Sequence, residues 1–84
     1  MTTHVPEATL TRREREVFAE VIQGWTNAEI GTRLFLTETT VKTHVSAILR
    51  KLAVPNRVHA VVYAYENGIA RPSLSPSENT FMIV

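Results

Sequence analysis

Thr39, Thr43, Ser46 and Arg50 stand at helical spacings along the chain, with Lys42 beside them. At about 100° per residue these side chains fall on one outward line of a helix, with Lys42 and Ala47 on its shoulders. Hydroxyls both donate and accept hydrogen bonds, whereas an ammonium and a guanidinium only donate. Such a set suits the edges of DNA bases: Thr and Ser can donate or accept there, and Lys can reach guanine O6 or N7. Small side chains also let a helix backbone sit deep in a groove. A plain solvated helix carries Thr, Ser and Lys as well, so the surroundings must decide between the two readings.

The opposite face of this helix is apolar. Val41, Val45, Ile48, Leu49 and Leu52 recur at helical spacing and must be buried. Thr40, His44 and Lys51 lie on one flank. Thr37 opens the helix, Leu36 and Val41 are spaced as a hydrophobic staple, and Pro55 forbids continuation. A shorter helix precedes it. Thr26 and Glu29 have capping-box spacing, Trp25 and Ile30 are placed as a second staple, and the helix runs to about Leu34 with Ile30, Gly31 and Leu34 inward. Gly31 allows close approach of another helix at some cost in helix propensity. A short helix, a tight turn and a longer helix over 26–52 is the arrangement by which a helix-turn-helix presents its second helix to the major groove.

Two further helices complete the reading. Thr11 and Glu14 form another capping box, Leu10, Val17, Phe18, Val21 and Ile22 mark one apolar face, and Gly24 stops the helix. Asn56 caps a last helix that runs to about Asn67 and closes at Gly68. That helix has two apolar faces: Ala60, Val61, Ala64 and Gly68 toward the core, and Val58, Val62 and Tyr65 on the other side. A short helix with two such faces is either fully buried or holds a partner, and the second stripe is the expected dimerisation surface. No segment alternates with the period of a strand. The expectation is an all-α, four-helix domain over residues 10–69, with residues 1–9 a linker or frayed terminus and residues 70–84 a disordered tail. Residues 81–84, FMIV, could dock on a partner or on the domain.

Composition fits this picture. The 84 residues are 44% hydrophobic and 20% charged, contain no cysteine, and carry a net charge of +1. One small domain follows. Disulfides and thiolate metal sites are excluded, and the apolar runs are too short to span a bilayer. The N-terminus lacks the order of a signal peptide, so a cytoplasmic location is expected. The charge is unevenly placed. Residues 33–57 carry Arg33, Lys42, Arg50, Lys51 and Arg57 against Glu38, while the segments on either side are net acidic. Positive charge therefore gathers on the outward helix and its flanks, as a phosphate-facing surface requires.

The pieces LTRRERE at 10–16, GWTNAEIG at 24–31, TVKTH at 40–44, RKL at 50–52 and VPNR at 54–57, with a final helix ending at Gly68, resemble the DNA-binding domain of LuxR/FixJ-type transcription regulators. Six pieces in order over residues 10–69 make the resemblance specific. Gly31 stands where the family usually has Ala, and Phe18 where it usually has Leu. The resemblance implies base contacts from Lys42, Thr43 and Ser46, in agreement with the helical wheel. It implies phosphate contacts from Thr26, Asn27, Thr37, Thr39 and Thr40, and also assigns Lys51 and Arg57 to that role. Helix N-termini suit phosphates because their amides carry partial positive charge. The resemblance further implies double-stranded DNA as partner, a homodimer through the fourth helix, and an upstream receiver or sensory domain of a two-component response regulator. Nine residues before Leu10 cannot hold such a domain, so the expectation is an excised fragment or a stand-alone regulator.

Other chemistries are weaker. His4, His44 and His59 lack a Cys or acidic cluster at ligand spacing, so no metal or other cofactor is expected. Ser46 has no nucleophile-elbow context; Glu14 and Glu29 are explained by capping, and Gly24 and Gly31 are too far apart for a phosphate cradle. No catalytic residue is expected. The rival functions are a sigma-factor-like promoter reader and a helical protein–protein interaction module that does not bind DNA.

Overall fold

The computed structural model describes residues 6–70. His4, most of the expected tail and its FMIV end lie outside the described residues. Four α-helices are present: α1 Arg12–Ile22, α2 Asn27–Leu34, α3 Glu38–Leu52 and α4 Arg57–Glu66. Among the described residues there is no strand, and the all-α expectation holds. A single 3-10 turn, Pro6–Thr9, precedes α1 and packs against α3. The expectation of an irregular lead over 1–9 is therefore modified at this turn, where the fixed φ of proline suits a helical first position.

Each helix begins where a short polar side chain can satisfy its first amides. Thr11 and Thr26 form complete capping boxes with Glu14 and Glu29, Thr37 accepts from the Thr40 amide at 3.1 Å, and Asn56 accepts from the His59 amide at 3.0 Å. Each helix ends at a residue in the left-handed region: Gly24, Phe35, Ala53 and Gly68. The following residue's N–H then bonds back into the last turn: Trp25 to the Glu20 carbonyl, Leu36 to Gly31, Val54 to Leu49 and Ile69 to Ala64. Left-handed turns at Gly24 and Gly68 are expected from their lack of a Cβ; those at Phe35 and Ala53 are not.

α3 is the central element, packed against α1, α2 and α4, while α4 also rests on α1. Leu10, Val17, Phe18, Val21, Ile30, Val41, Ile48, Leu52, Ala60 and Ala64 form the core. Ile30, Ile48, Val17 and Val41 are the largest side chains fully withdrawn from water, each contributing about 1.5–3 kcal/mol by its burial. Val45, Leu49, Trp25 and Val61 are half-buried against this core. Gly68, expected on the core face, is exposed at the end of α4, because its left-handed conformation carries the chain off the helix axis. Gly31 is buried where α2 turns into α3, and a Cβ there would stand 2.5 Å from the Leu36 carbonyl oxygen. Absence of a side chain at this position sets how tightly the two helices join.

Candidate nucleic-acid interface

Burial of Val41, Ile48 and Leu52 fixes the rotation of α3. Lys42, Thr43 and Ser46 are consequently exposed, as are Thr39 and Arg50, while Thr40, His44 and Ala47 are half-buried. The three base-facing candidates thus lie together on one open side of the first half of the helix. Thr43 Oγ1 donates to the Thr39 carbonyl at 3.2 Å, which uses the hydroxyl hydrogen and leaves the oxygen lone pairs of this exposed residue to accept. In this rotamer it can accept from a base amino group or touch a thymine methyl.

The two helix starts of the helix-turn-helix supply donors. Thr37 Oγ1 donates to Thr40 Oγ1 at 2.9 Å, so the Thr40 hydroxyl keeps its own hydrogen for an outside acceptor. At α2, the Thr26 amide donates to Glu29 Oε1 at 2.8 Å and Thr26 Oγ1 accepts from the Glu29 amide at 3.1 Å. First-turn amides beyond those caps have no intrahelical partner. Thr26, Thr37 and Thr39 are exposed and Asn27 is half-buried.

The structure ties three of the five cations between residues 33 and 57 to neighbours within the chain. Arg33 pairs with Glu20 across α1 and α2 and lies 4.5 Å above the centre of the Trp25 ring. Lys51 Nζ donates to Glu14 Oε1 at 2.7 Å. Arg57 donates to both Asn27 Oδ1 and the Trp25 carbonyl. Among the described residues Lys42 and Arg50, both on α3, make no ion pair. Lys51 and Arg57, which the resemblance assigned to phosphates, therefore hold elements together in the free chain. Sequence spacing gave no signal of this, because their partners stand 37 and 30 residues away.

Glu14 is buried, and its carboxylate has two competing influences. Burial pushes its pKa up, but hydrogen bonds from Lys51 and the Thr11 amide, and the Lys51 charge, outweigh that and hold it below the ordinary glutamate value. Trp25 Nε1 is buried without a hydrogen-bond partner among the described residues.

On α4, Val58, Val62 and Tyr65 are exposed, at 70%, 44% and 44%. Ile69, directly after the capping glycine, is also exposed, at 40%; helical periodicity stops at Gly68 and could not include it, although an apolar residue at that position is itself a signal. No helix among the described residues is long and apolar enough to cross a membrane, and no group of three or more His, Asp or Glu among them could hold a metal ion.

Residues 8–64 match the family described as bacterial regulatory proteins, luxR family. The chain is 49% identical over 63 residues to the transcriptional regulatory protein LiaR of Bacillus subtilis strain 168, covering 75% of this chain and 30% of that protein. It is 49% identical over 61 residues to the transcriptional regulatory protein LnrK of the same organism, covering 73% and 28%. Against the response regulator protein VraR of Staphylococcus aureus strain NCTC 8325 / PS 47 it is 45% identical over 60 residues, covering 71% and 29%. The chain thus spans under a third of the length of these curated relatives.

Proposed function

From the premise that this chain belongs to the luxR family of bacterial regulatory proteins, we propose that it is the sequence-specific DNA-binding unit of a transcription regulator. α3 enters the major groove and α2 braces it against the backbone. Lys42, Thr43 and Ser46 face the bases, while Thr26, Asn27, Thr37, Thr39 and Thr40 face phosphates. Lys51 and Arg57, both tied to partners within the chain, add positive charge rather than direct phosphate contacts. Two copies meet through Val58, Val62 and Tyr65 of α4 and occupy repeated half-sites. The relatives' names, which include a response regulator protein, support a whole protein in which a receiver domain controls this unit, acting in the cytoplasm where DNA is reached.

One observation carries the reading. Val41, Ile48 and Leu52 of α3 are buried in the core and Val45 and Leu49 pack half-buried against it, so the exposure of Lys42, Thr43 and Ser46 follows from the fold. A helix needs two such sides to be both held rigidly and offered to a groove.

Titration of the chain into short duplex DNA at rising salt tests it. A DNA reader binds random duplex at low salt and loses affinity steeply as salt rises, because phosphate binding releases counterions. Selection from a random oligonucleotide pool then gives motif, symmetry and spacing together. On the selected site, Lys42→Ala costs about 1–3 kcal/mol relative to random sequence if Lys42 reads a base; an equal loss on every sequence makes it a phosphate contact. Absence of binding at low salt overturns the proposal in favour of a protein–protein module.

A further inference from the structure

Arg57 is the first residue of α4 and Asn27 the first residue of α2. The Arg57 guanidinium spans the start of α2: one nitrogen donates to Asn27 Oδ1 and another to the Trp25 carbonyl, on either side of the N-cap Thr26. A guanidinium has no acceptor. The Asn27 amide must therefore turn its oxygen to Arg57 and its NH2 group away. No described residue accepts from that NH2. Asn27 is also at the first helical position, where its backbone N–H has no intrahelical partner. Two donors of one residue are left together, and the orientation of the side-chain donor is set by an arginine from another helix.

We infer that Arg57 is a positioning residue of the DNA-binding surface: it acts through Asn27, holding the amide nitrogen of Asn27 and the start of α2 in the orientation that takes a phosphate. This rests on the DNA-binding reading above and replaces a direct phosphate contact by Arg57 with an indirect role. The geometry also explains why an arginine is needed. A lysine ammonium is a point donor on a flexible stem and lacks the planar fork that grips two acceptors at once.

A double-mutant cycle tests it. Affinity for a short duplex at fixed salt is measured for the parent chain, Arg57→Lys, Asn27→Ala and the double variant, with thermal unfolding of each. Arg57→Lys keeps the charge, so its loss reports the fork. The expected result is a weakening of about tenfold for either single variant, the magnitude of one hydrogen bond to a charged group. In the Asn27→Ala background Arg57→Lys then costs clearly less than in the parent chain, about threefold or under, because only its bond to the Trp25 carbonyl remains to be lost. Asn27→Asp supplies the second arm. Its carboxylate pairs with Arg57 and keeps the fold, yet it has no side-chain donor and repels a phosphate, so DNA affinity falls by about tenfold or more while the melting temperature holds or rises. Equal losses for Arg57→Lys in both backgrounds identify a direct contact and overturn the inference, as does Asn27→Asp binding with parental affinity. Failure of the parent chain to bind duplex DNA at low salt removes the DNA reading itself, a distinct outcome.

Discussion

Lys42 and Lys51 are nine positions apart on one helix and have opposite fates, and the difference is what each can reach. Lys42 points into solvent, with no carboxylate partner among the described residues, and keeps its whole charge for an outside anion. Lys51 reaches back to Glu14, a residue only 6% exposed, whose carboxylate already accepts from the Thr11 amide at 2.8 Å. A buried carboxylate is tolerable only when paired and hydrogen-bonded, so Lys51 is held by a demand of the core. This pair ties the start of α1 to the end of α3. The pKa of Glu14 is depressed in the folded chain, and the sign of its pH dependence follows. Its stabilising contribution is complete above the unfolded glutamate value of about 4.3 and is lost as pH falls through the lower folded value. Glu14→Gln is expected to destabilise the domain by about 1–3 kcal/mol at neutral pH, since it leaves Lys51 half-buried without a countercharge. The variant also flattens the acid limb of melting temperature against pH. A Glu14→Gln curve parallel to the parent curve between pH 5 and 3 (the range that spans ordinary carboxylate titration) assigns the acid sensitivity to other groups.

At the level of the elements, two turns share one local design. In Gly24–Trp25–Thr26 and in Phe35–Leu36–Thr37 a left-handed residue is followed by an apolar one and then by a threonine cap. The apolar residue closes one helix by donating into its last turn and is placed to staple the next. Much of this is legible in the residues themselves: Thr11, Thr26, Thr37 and Asn56 announce helix starts, and Gly24 and Gly68 announce ends. Apolar periodicity then sets the rotation of α3 and hence which side chains are exposed. Phe35 and Ala53 are not legible as left-handed, because bulk at Cβ opposes that conformation and only the tertiary join of the helices requires it. The pairs Glu14–Lys51, Glu20–Arg33 and Asn27–Arg57 are not legible either, since no local rule couples residues that far apart. The cost of a left-handed alanine gives a prediction. Gly at such a position relieves about 1–2 kcal/mol, against about 0.4–1 kcal/mol from the greater freedom of glycine in the unfolded chain. Ala53→Gly is therefore expected to raise the melting temperature by a few degrees. Gly24→Ala is expected to lower it, with a Cβ that meets nothing within 4 Å and so only the backbone to strain. Thermal unfolding of both variants checks the pair, and the same sign for both rejects the backbone explanation.

For the molecule as a whole, the question is how a domain this small obtains enough affinity to choose a site. Three of the five cations around α3 are engaged in internal contacts, which limits the number of phosphates one copy can neutralise and so limits the counterion release that drives binding. A second copy doubles the contacts without enlarging the fold. Val58, Val62 and Tyr65 form a stripe of exposed apolar side chains on α4, whose Ala60 and Ala64 are buried in the core. One ten-residue helix offers less than the roughly 800 Å² per partner of a standard stable interface. Association is therefore expected to be weak in free solution and strong on DNA, where neighbouring half-sites raise the effective concentration of one copy near the other. Tyr65→Glu places a charge in the stripe at a residue that is 44% exposed. It is expected to leave the melting temperature nearly unchanged, within about 0.5 kcal/mol of stability, and to leave binding to a single half-site intact. On a duplex carrying two half-sites it abolishes cooperative binding. Gel-shift titrations on one-site and two-site duplexes, with sedimentation of the free chain, separate these quantities. Undiminished cooperativity in Tyr65→Glu means that the two copies communicate through another surface or through the DNA, and α4 then needs a different partner to cover its apolar side.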